Sequence, residues 1–544
     1  MTLVTRVSRA IGRVELRDDA VRRLAIAVLL ALGVASIVVA AWSLAEGGIG
    51  WDSTNDTAAA LQVRSVDSSS SLTDAYSRVP SIFKFYGLFL YQFADVLHLL
   101  TTGLTEPLAQ DDPTTYLYQG AATLFLSVAS VTALGIAITI AFRSVLAGSF
   151  VWSLTLATPL WLGMSHVDFK DMPVAAGITL VNAGLMLSIC LQGRVKATLV
   201  GVLVAGAGGA ITLGTRAGAL VLLAVFAGGT ALIVLAWSCV RRRPGSSVSV
   251  LITSGSVFAC GFTLLWATNP FARINMLQWL RDSAEVALEY PWSAPIRVAG
   301  RDVLSVDLPW WYVPAWLVAQ LPLLTLAAVV GGSAVLIVGL VRRRQRVDAA
   351  TTMPLVPITL QAVIVPVTVV LSGAVLYDGI RHLLFMIPGL IAIPAVALAL
   401  LDRRTGEPGS RLKFVLPLGA VVIVAASLWA SIRWAPYAYA FVNPVAGYDK
   451  KHRSWELDYW GVSGKEGLER LKDLGYSPVY VQPSWSVGVP YGATDGPIAG
   501  ANPGLYVFLR RNRATDYGCT VIFTIERDGH ELGEGARCPT APKG

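Results

Sequence analysis

Runs of about 20 apolar residues recur along this chain, each long enough to cross a bilayer as a helix. They lie near 24–45, 117–141, 145–165, 173–192, 197–214, 217–239, 248–268, 312–341, 354–376, 380–401 and 414–433, about eleven in all. In hydrocarbon a backbone must satisfy its own polar groups, so such runs dictate an all-α polytopic bundle. Composition agrees. Of the 544 residues 54% are hydrophobic and only 14% charged, against about 25% charged in soluble proteins. Mean hydropathy is +0.59. A soluble enzyme is excluded.

The net charge of +8 does not mark a nucleic-acid binder, because the arginines sit in clusters between apolar runs. Arg241, Arg242 and Arg243 form one cluster, Arg342, Arg343, Arg344 and Arg346 another, and Arg403 and Arg404 a third. That is the positive-inside pattern of membrane insertion. The N-terminus carries Arg6, Arg9, Arg13, Arg17, Arg22 and Arg23 before an apolar stretch from Leu24 to Leu44. This stretch exceeds the apolar core of a cleavable signal, about 7–15 residues, and reads as a retained signal-anchor.

The expected organisation is a cytoplasmic segment 1–23, a transmembrane domain 24–433 and an extracytoplasmic tail 434–544. Every arginine cluster then faces the cytoplasm. Val79–Leu104 is apolar enough to pose as a further span, but crossing there would invert all later clusters, and it holds Lys84, Asp95 and His98. It reads as an amphipathic helix in the outer interface. The outer loops fall at about 46–116 and 269–311, the second with an amphipathic stretch and Trp292, Trp310 and Trp311, residues suited to headgroup anchoring.

The tail reads as a small α/β domain. Ser463-Gly-Lys-Glu466 has capping-box spacing, with the helix ending at Gly475. Strand-like runs follow at 478–481, 505–509 and 520–525, and Asp528-Gly529 suits a hairpin turn. Cys190, Cys239 and Cys260 fall in apolar spans and read as small core residues. Cys519 and Cys538 lie in the tail, where a disulfide is open to them if the tail faces an oxidising compartment.

Ionisable residues at span ends cost a few kcal/mol when buried without a partner, which makes them informative. On this topology the conspicuous groups all emerge outside. Asp52 and Asp56 follow the first span and share a face if helical; they either cap amides or take a proton from an acceptor hydroxyl. His166, Asp168, Lys170 and Asp171 crowd a short loop, as a metal or anion site or as a self-compensating salt-bridge knot. Arg216 sits alone at a tip, to hold a phosphate or to snorkel. Asp378, Arg381 and His382 fall within five residues, with a local Asp378–Arg381 ion pair as the plain alternative. No nucleotide-binding glycine motif accompanies them. Outward-facing cations and carboxylates at membrane level suggest group transfer from a lipid phosphate.

These segments, in order, resemble polytopic GT-C glycosyltransferases of the protein-mannosyltransferase type. Gly50-Trp51-Asp52 is similar to that family's outer-loop acidic motif, and Phe169-Lys170-Asp171-Met172-Pro173 to its lysine–aspartate–proline loop. Gly214-Thr215-Arg216, Leu308–Pro314 and Tyr377–Phe385 resemble further segments. Glu456-Leu457-Asp458-Tyr459-Trp460-Gly461 opens the tail as in bacterial members. Ser53 stands where members usually have an acid, and Asp168-Phe169 where they often show Asn-Pro.

The resemblance implies inverting transfer from a polyprenyl-phosphate sugar to a cell-wall glycan, lipoglycan or protein. Asp52 would be the general base. Lys170, Arg216 and Arg381, supported by His382, would bind the phosphate. Asp171 would orient Lys170 or be a second carboxylate, with Asp56, His166, Asp168, Asp378, Asp458, Tyr459 and Trp460 as further candidates. No cofactor is certain; a divalent metal is open to such a site, but the sequence does not indicate one. Membrane lipids are the expected surroundings, in a bacterial cytoplasmic membrane. The rival readings are a flippase for lipid-linked saccharides and a polymerase or ligase using a diphosphate-linked glycan.

Overall fold

The computed structural model describes residues 20–79, 82–105, 108–191, 195–240, 245–288, 290, 292–342, 352–403, 411–448, 454–508 and 512–539. Arg6, Arg9, Arg13, Arg17, Arg241, Arg242, Arg243, Arg343, Arg344, Arg346 and Arg404 lie outside the described residues.

Within them, seven helices are long and apolar enough to cross a membrane: Ala20–Glu46, Pro113–Phe142, Asp171–Cys190, Thr198–Thr215, Ala217–Val240, Ser247–Thr268 and Leu412–Trp434. Two bent pairs raise this to nine, Val145–Ala157 with Pro159–Val167 and Tyr312–Gln320 with Leu323–Gly339. The stretches near 354–376 and 380–401 form the shorter apolar helices Leu355–Leu371 and Met386–Asp402. The chain is a multi-pass membrane protein.

Local sequence sets the helix starts. Asp112 accepts from the Thr114 amide ahead of Pro113, and Ser144 accepts from the Ala147 amide, supplying first-turn donors with the partners they lack. The helix Asp171–Cys190 is almost wholly buried at the centre. It lies close against the neighbouring Val195–Thr215: a Cβ on Gly184 would sit 2.6 Å from the Gly201 oxygen, and one on Gly177 2.8 Å from that of Gly208. Small residues let helices approach in lipid, where no hydrophobic force drives them together.

The stretch Val79–Leu104 contains a 3₁₀ turn, Ile82–Phe85, and the helix Phe89–Thr102, whose 14 residues are shorter than a span. Leu99, Leu100 and Leu104 are exposed, and Arg64 pairs with Asp95 at 2.6 Å. The connection 269–311 holds the helix Pro270–Leu288, kinked at Asn275, and a hairpin of β1 (Pro295–Val298) and β2 (Arg301–Leu304). Of its tryptophans only Trp310 is strongly exposed; Trp292 packs on Tyr377 with ring centroids 4.0 Å apart.

The tail is an α/β unit. Its sheet runs β3-β4-β6-β5 (Val479–Gln482, Gly504–Phe508, His530–Arg537, Thr520–Arg527), with β3 and β4 parallel and the other pairs antiparallel. Asp528 and Gly529 turn the β5–β6 hairpin, both at positive φ, as a two-residue turn of this type demands. Leu468 and Leu471 of the helix Gly464–Asp473 are buried. Cys519 and Cys538 form a disulfide beside Tyr480, Leu505 and Ala536.

Two expectations need correction. Ser463 does not complete a capping box: its hydroxyl donates to Asp458, while Glu466 accepts from Tyr437 and pairs with Arg470 and Arg527. Charged and hydroxyl partners take both side chains in place of the first-turn amides. Cys239 and Cys260 are exposed rather than core, and Cys190 is half-buried. A span in lipid is apolar on every side, so hydrophobicity does not separate its inward from its outward face.

Candidate active site

Helix Ala20–Glu46 runs the length of the bundle. At its start Arg22 pairs with Asp402 at 2.7 Å; at its far end the chain meets the tail, where the Gly48 amide donates to the Val462 oxygen and the Trp51 amide to the Trp460 oxygen. The polar loops converge at that second end.

Lys170 sits between two carboxylates, its Nζ 2.9 Å from Asp52 Oδ2 and 2.9 Å from Asp56 Oδ2. Its neighbour Asp171 sits between two guanidiniums, Oδ1 2.9 Å from Arg216 and Oδ2 2.7 Å from Arg381. Asp171 therefore holds the arginines, and Lys170 is oriented by the acids that follow the helix Ala20–Glu46. The local Asp378–Arg381 pair is present but longer, at 3.4 Å. Asp378 and Gly379 form a turn with both φ positive, and Tyr312 Oη donates to the Gly379 oxygen at 2.9 Å. That turn aims Arg381 inward, where its guanidinium lies over the Tyr377 and Trp460 rings at 4.7 and 5.1 Å.

The carboxylates differ in access. The Asp52 side chain is 34% exposed, against 2% for Asp56, 4% for Asp171 and 5% for Asp378. Burial pushes the Asp56 carboxyl up to about 6 against the pull of Lys170.

Asp168 has a backbone task. Its Oδ1 accepts from the Lys170 and Asp171 amides at 3.0 and 2.8 Å, bracing the backbone where the helix Asp171–Cys190 begins. Burial, with the nearby Asp171 charge, pushes its carboxyl above the usual range. Asp458 likewise accepts from the Val462 and Ser463 amides and from the Tyr439 and Ser463 hydroxyls, fixing the segment that carries Trp460. Tyr459 is buried against Tyr439 and Trp460. His166 lies apart, its Nδ1 3.2 Å from the Leu162 oxygen. Among the described residues no group of three or more His, Cys, Asp or Glu is arranged to hold a metal.

Beside the arginines a cavity of about 450 Å³ opens between helices. Its walls are largely apolar, with Val174, Leu222, Val225, Val365 and Val369 among them, and Asp171, Arg216 and His382 line it together with Tyr86, Tyr290 and Tyr377. Arg381 and Lys170 stand behind this lining.

Sequence reasoning missed Tyr86, Tyr290 and Ser486. Tyr86 sits inside an apolar stretch, with nothing local to single it out. Ser486 Oγ donates to the Trp51 oxygen at 2.9 Å from the tail. No local pattern marks it, because its apposition to the Asp52 loop arises only in the fold.

No family model matches the chain, and no curated protein matches it. Among solved structures, ArnT from Cupriavidus metallidurans bound to undecaprenyl phosphate aligns at 13% identity and a TM-score of 0.46, covering 93% of this chain and 97% of that one. The oligosaccharyltransferase AglB from Archaeoglobus fulgidus, in complex with an inhibitory peptide and a dolichol-phosphate, aligns at 11% identity and a TM-score of 0.44, over 76% of this chain and 56% of that one. At these values the likeness is one of chain path, and no activity follows from it.

Proposed function

We propose that this chain is a membrane glycosyltransferase that moves a sugar from a polyprenyl-phosphate donor to an extracytoplasmic acceptor. The observation that carries the reading is the cavity, apolar along its helical walls and lined by Arg216 and His382 where it meets the ion-paired cluster. An isoprenoid tail with one phosphate matches that polarity: the walls take the tail, and Arg216, with Lys170 and Arg381 behind it, takes the headgroup.

Asp52, the most exposed of the clustered carboxylates, is the proposed base. The acceptor hydroxyl gives its proton to Asp52 as its oxygen bonds to the anomeric carbon. The bond from that carbon to the phosphate oxygen breaks, and its electron pair leaves with the polyprenyl phosphate. Arg216, backed by Arg381 through Asp171, and Lys170 stabilise the growing negative charge, which preorganised cations do well in a site shielded from water. A base of this kind contributes about 10²–10⁴-fold. The tail disulfide supports an outward-facing tail, and the positive-inside pattern of the sequence agrees with it, which together favour a bacterial cytoplasmic membrane.

The test uses purified protein in lipid with radiolabelled polyprenyl-phosphate mannose, arabinose, galactose and glucose. Release of lipid phosphate with sugar in a product supports the reading. Lipid moved between leaflets with no glycosidic product would replace it with transport.

A further inference from the structure

We infer that Tyr86 is a donor-binding residue whose hydroxyl hydrogen-bonds the phosphate and places it between Lys170 and Arg216. The inference rests on the glycosyltransferase reading and deepens it.

One aromatic ring serves both halves of the charged cluster. Lys170 Nζ lies 5.3 Å from the centroid of the Tyr86 ring, and the Arg216 guanidinium lies 5.3 Å from the same centroid. Lys170 belongs to the carboxylate half with Asp52 and Asp56, and Arg216 to the arginine half with Asp171 and Arg381. Tyr86 is thus a junction between the proposed base and the proposed phosphate site, and it lines the cavity as well.

The backbone fixes this ring. Tyr86 and Arg216 form an isolated antiparallel β-bridge, and the next amide, Gly87, donates to the Thr215 oxygen at 2.8 Å. A Cβ on Gly87 would lie 1.8 Å from the Gly214 oxygen, so only glycine permits the approach. Asn269 Nδ2 also reaches the Tyr86 carbonyl, at 3.4 Å. Such close pairing to the segment that carries a functional arginine holds tyrosine and arginine in one register.

Among the described residues no protein group hydrogen-bonds the Tyr86 hydroxyl, whereas Tyr76, Tyr116, Tyr312, Tyr437 and Tyr439 each donate to a carboxylate or carbonyl. A phenol beside two cations, at the wall of a cavity, is equipped for an anion: it supplies a neutral donor where the cations supply charge. During transfer Tyr86 keeps its proton. Its hydrogen bond strengthens as charge gathers on the departing phosphate oxygen, while the acceptor's proton goes to Asp52.

The test compares wild type with Tyr86→Phe, which keeps the ring and its cation contacts, and with Tyr86→Leu, which removes both. Binding of undecaprenyl phosphate is measured in nanodiscs beside undecaprenol and inorganic phosphate, and transfer is measured with the active donor. A hydrogen bond to a charged group predicts that Tyr86→Phe weakens undecaprenyl phosphate binding about tenfold or more, leaves undecaprenol unchanged, and lowers kcat/KM at least as much. Tyr86→Leu should lose more. If inorganic phosphate alone shows the whole dependence, the headgroup suffices as ligand and Tyr86 keeps its role. Unchanged lipid-phosphate binding and kcat/KM in a folded Tyr86→Phe overturn the inference. The binding arm decides Tyr86 even if wild type transfers no sugar, an outcome that would refute the transferase reading alone.

Discussion

Lys170 reaches Asp52 across 118 positions of sequence, its Nζ 2.9 Å from Oδ2, and holds Asp56 at the same distance. One cation serves a reachable acid and a buried one. The next residue, Asp171, does the converse with two guanidiniums. Adjacent positions at a helix start thereby join two charge clusters that separate loops and spans supply.

The two aspartates should respond differently to neutralisation. Asp171→Asn leaves Arg216 and the buried Arg381 without their shared counter-charge, and breaking a buried pair costs about 3–5 kcal/mol. Asp52→Asn leaves Lys170 still paired with Asp56, so its cost should be about 1 kcal/mol or less. Thermal unfolding in detergent measures both. Equal losses would contradict the division into a structural and a functional acid.

Asp56 predicts a pH dependence. With its carboxyl at about 6 when folded, against an ordinary value near 4, the folded chain holds a proton in that window that the unfolded chain has released. This group therefore adds stability as pH falls through 6 towards 4. Activity moves the other way, because neutral Asp56 leaves all of the Lys170 attraction to Asp52 and weakens the base. Transfer should fall below about pH 6 in wild type, and Asp56→Asn should lack that step. A pH–rate comparison of the two proteins checks it.

Residue 51 is held from both sides by the tail, its amide donating to the Trp460 oxygen and its carbonyl accepting from Ser486 Oγ. Ser486→Ala should slow transfer roughly two- to tenfold through kcat, with donor KM unchanged, and Ser486→Thr should restore the rate. A rise in donor KM with kcat intact would argue against a role in holding Asp52.

The Cys519–Cys538 bridge closes a short loop on the tail sheet. Replacing both with serine should lower tail stability by about 2–4 kcal/mol, and a thiol reagent should find no free cysteine in the native tail. Labelling of either residue without reductant would contradict the bridge.

Most spans were legible because bilayer crossing imposes a length and an apolarity that a single sequence displays, but the count of eleven was too high: the runs near 354–376 and 380–401 form apolar helices shorter than a span, which hydropathy alone does not separate from crossing ones. The Asp528-Gly529 turn was legible because both residues take positive φ. The pairing inside the site was not. Arg381 lies 210 positions from Asp171, and no local pattern records which acid meets which cation. The amide partners of Asp168 and Asp458 were equally hidden, because a carboxylate that braces a backbone and one that meets a ligand are the same letter in a sequence. Tyr86 is one more aromatic residue in an apolar stretch until Arg216 is folded against it.

The most direct measurement compares wild type with Asp52→Asn in reconstituted membranes, following both donor binding and release of lipid phosphate with the donor that wild type uses. Undiminished donor binding with turnover reduced at least 10²-fold is the expected result for loss of a general base. Wild-type turnover in Asp52→Asn would contradict the assignment of the base and the mechanism built on it.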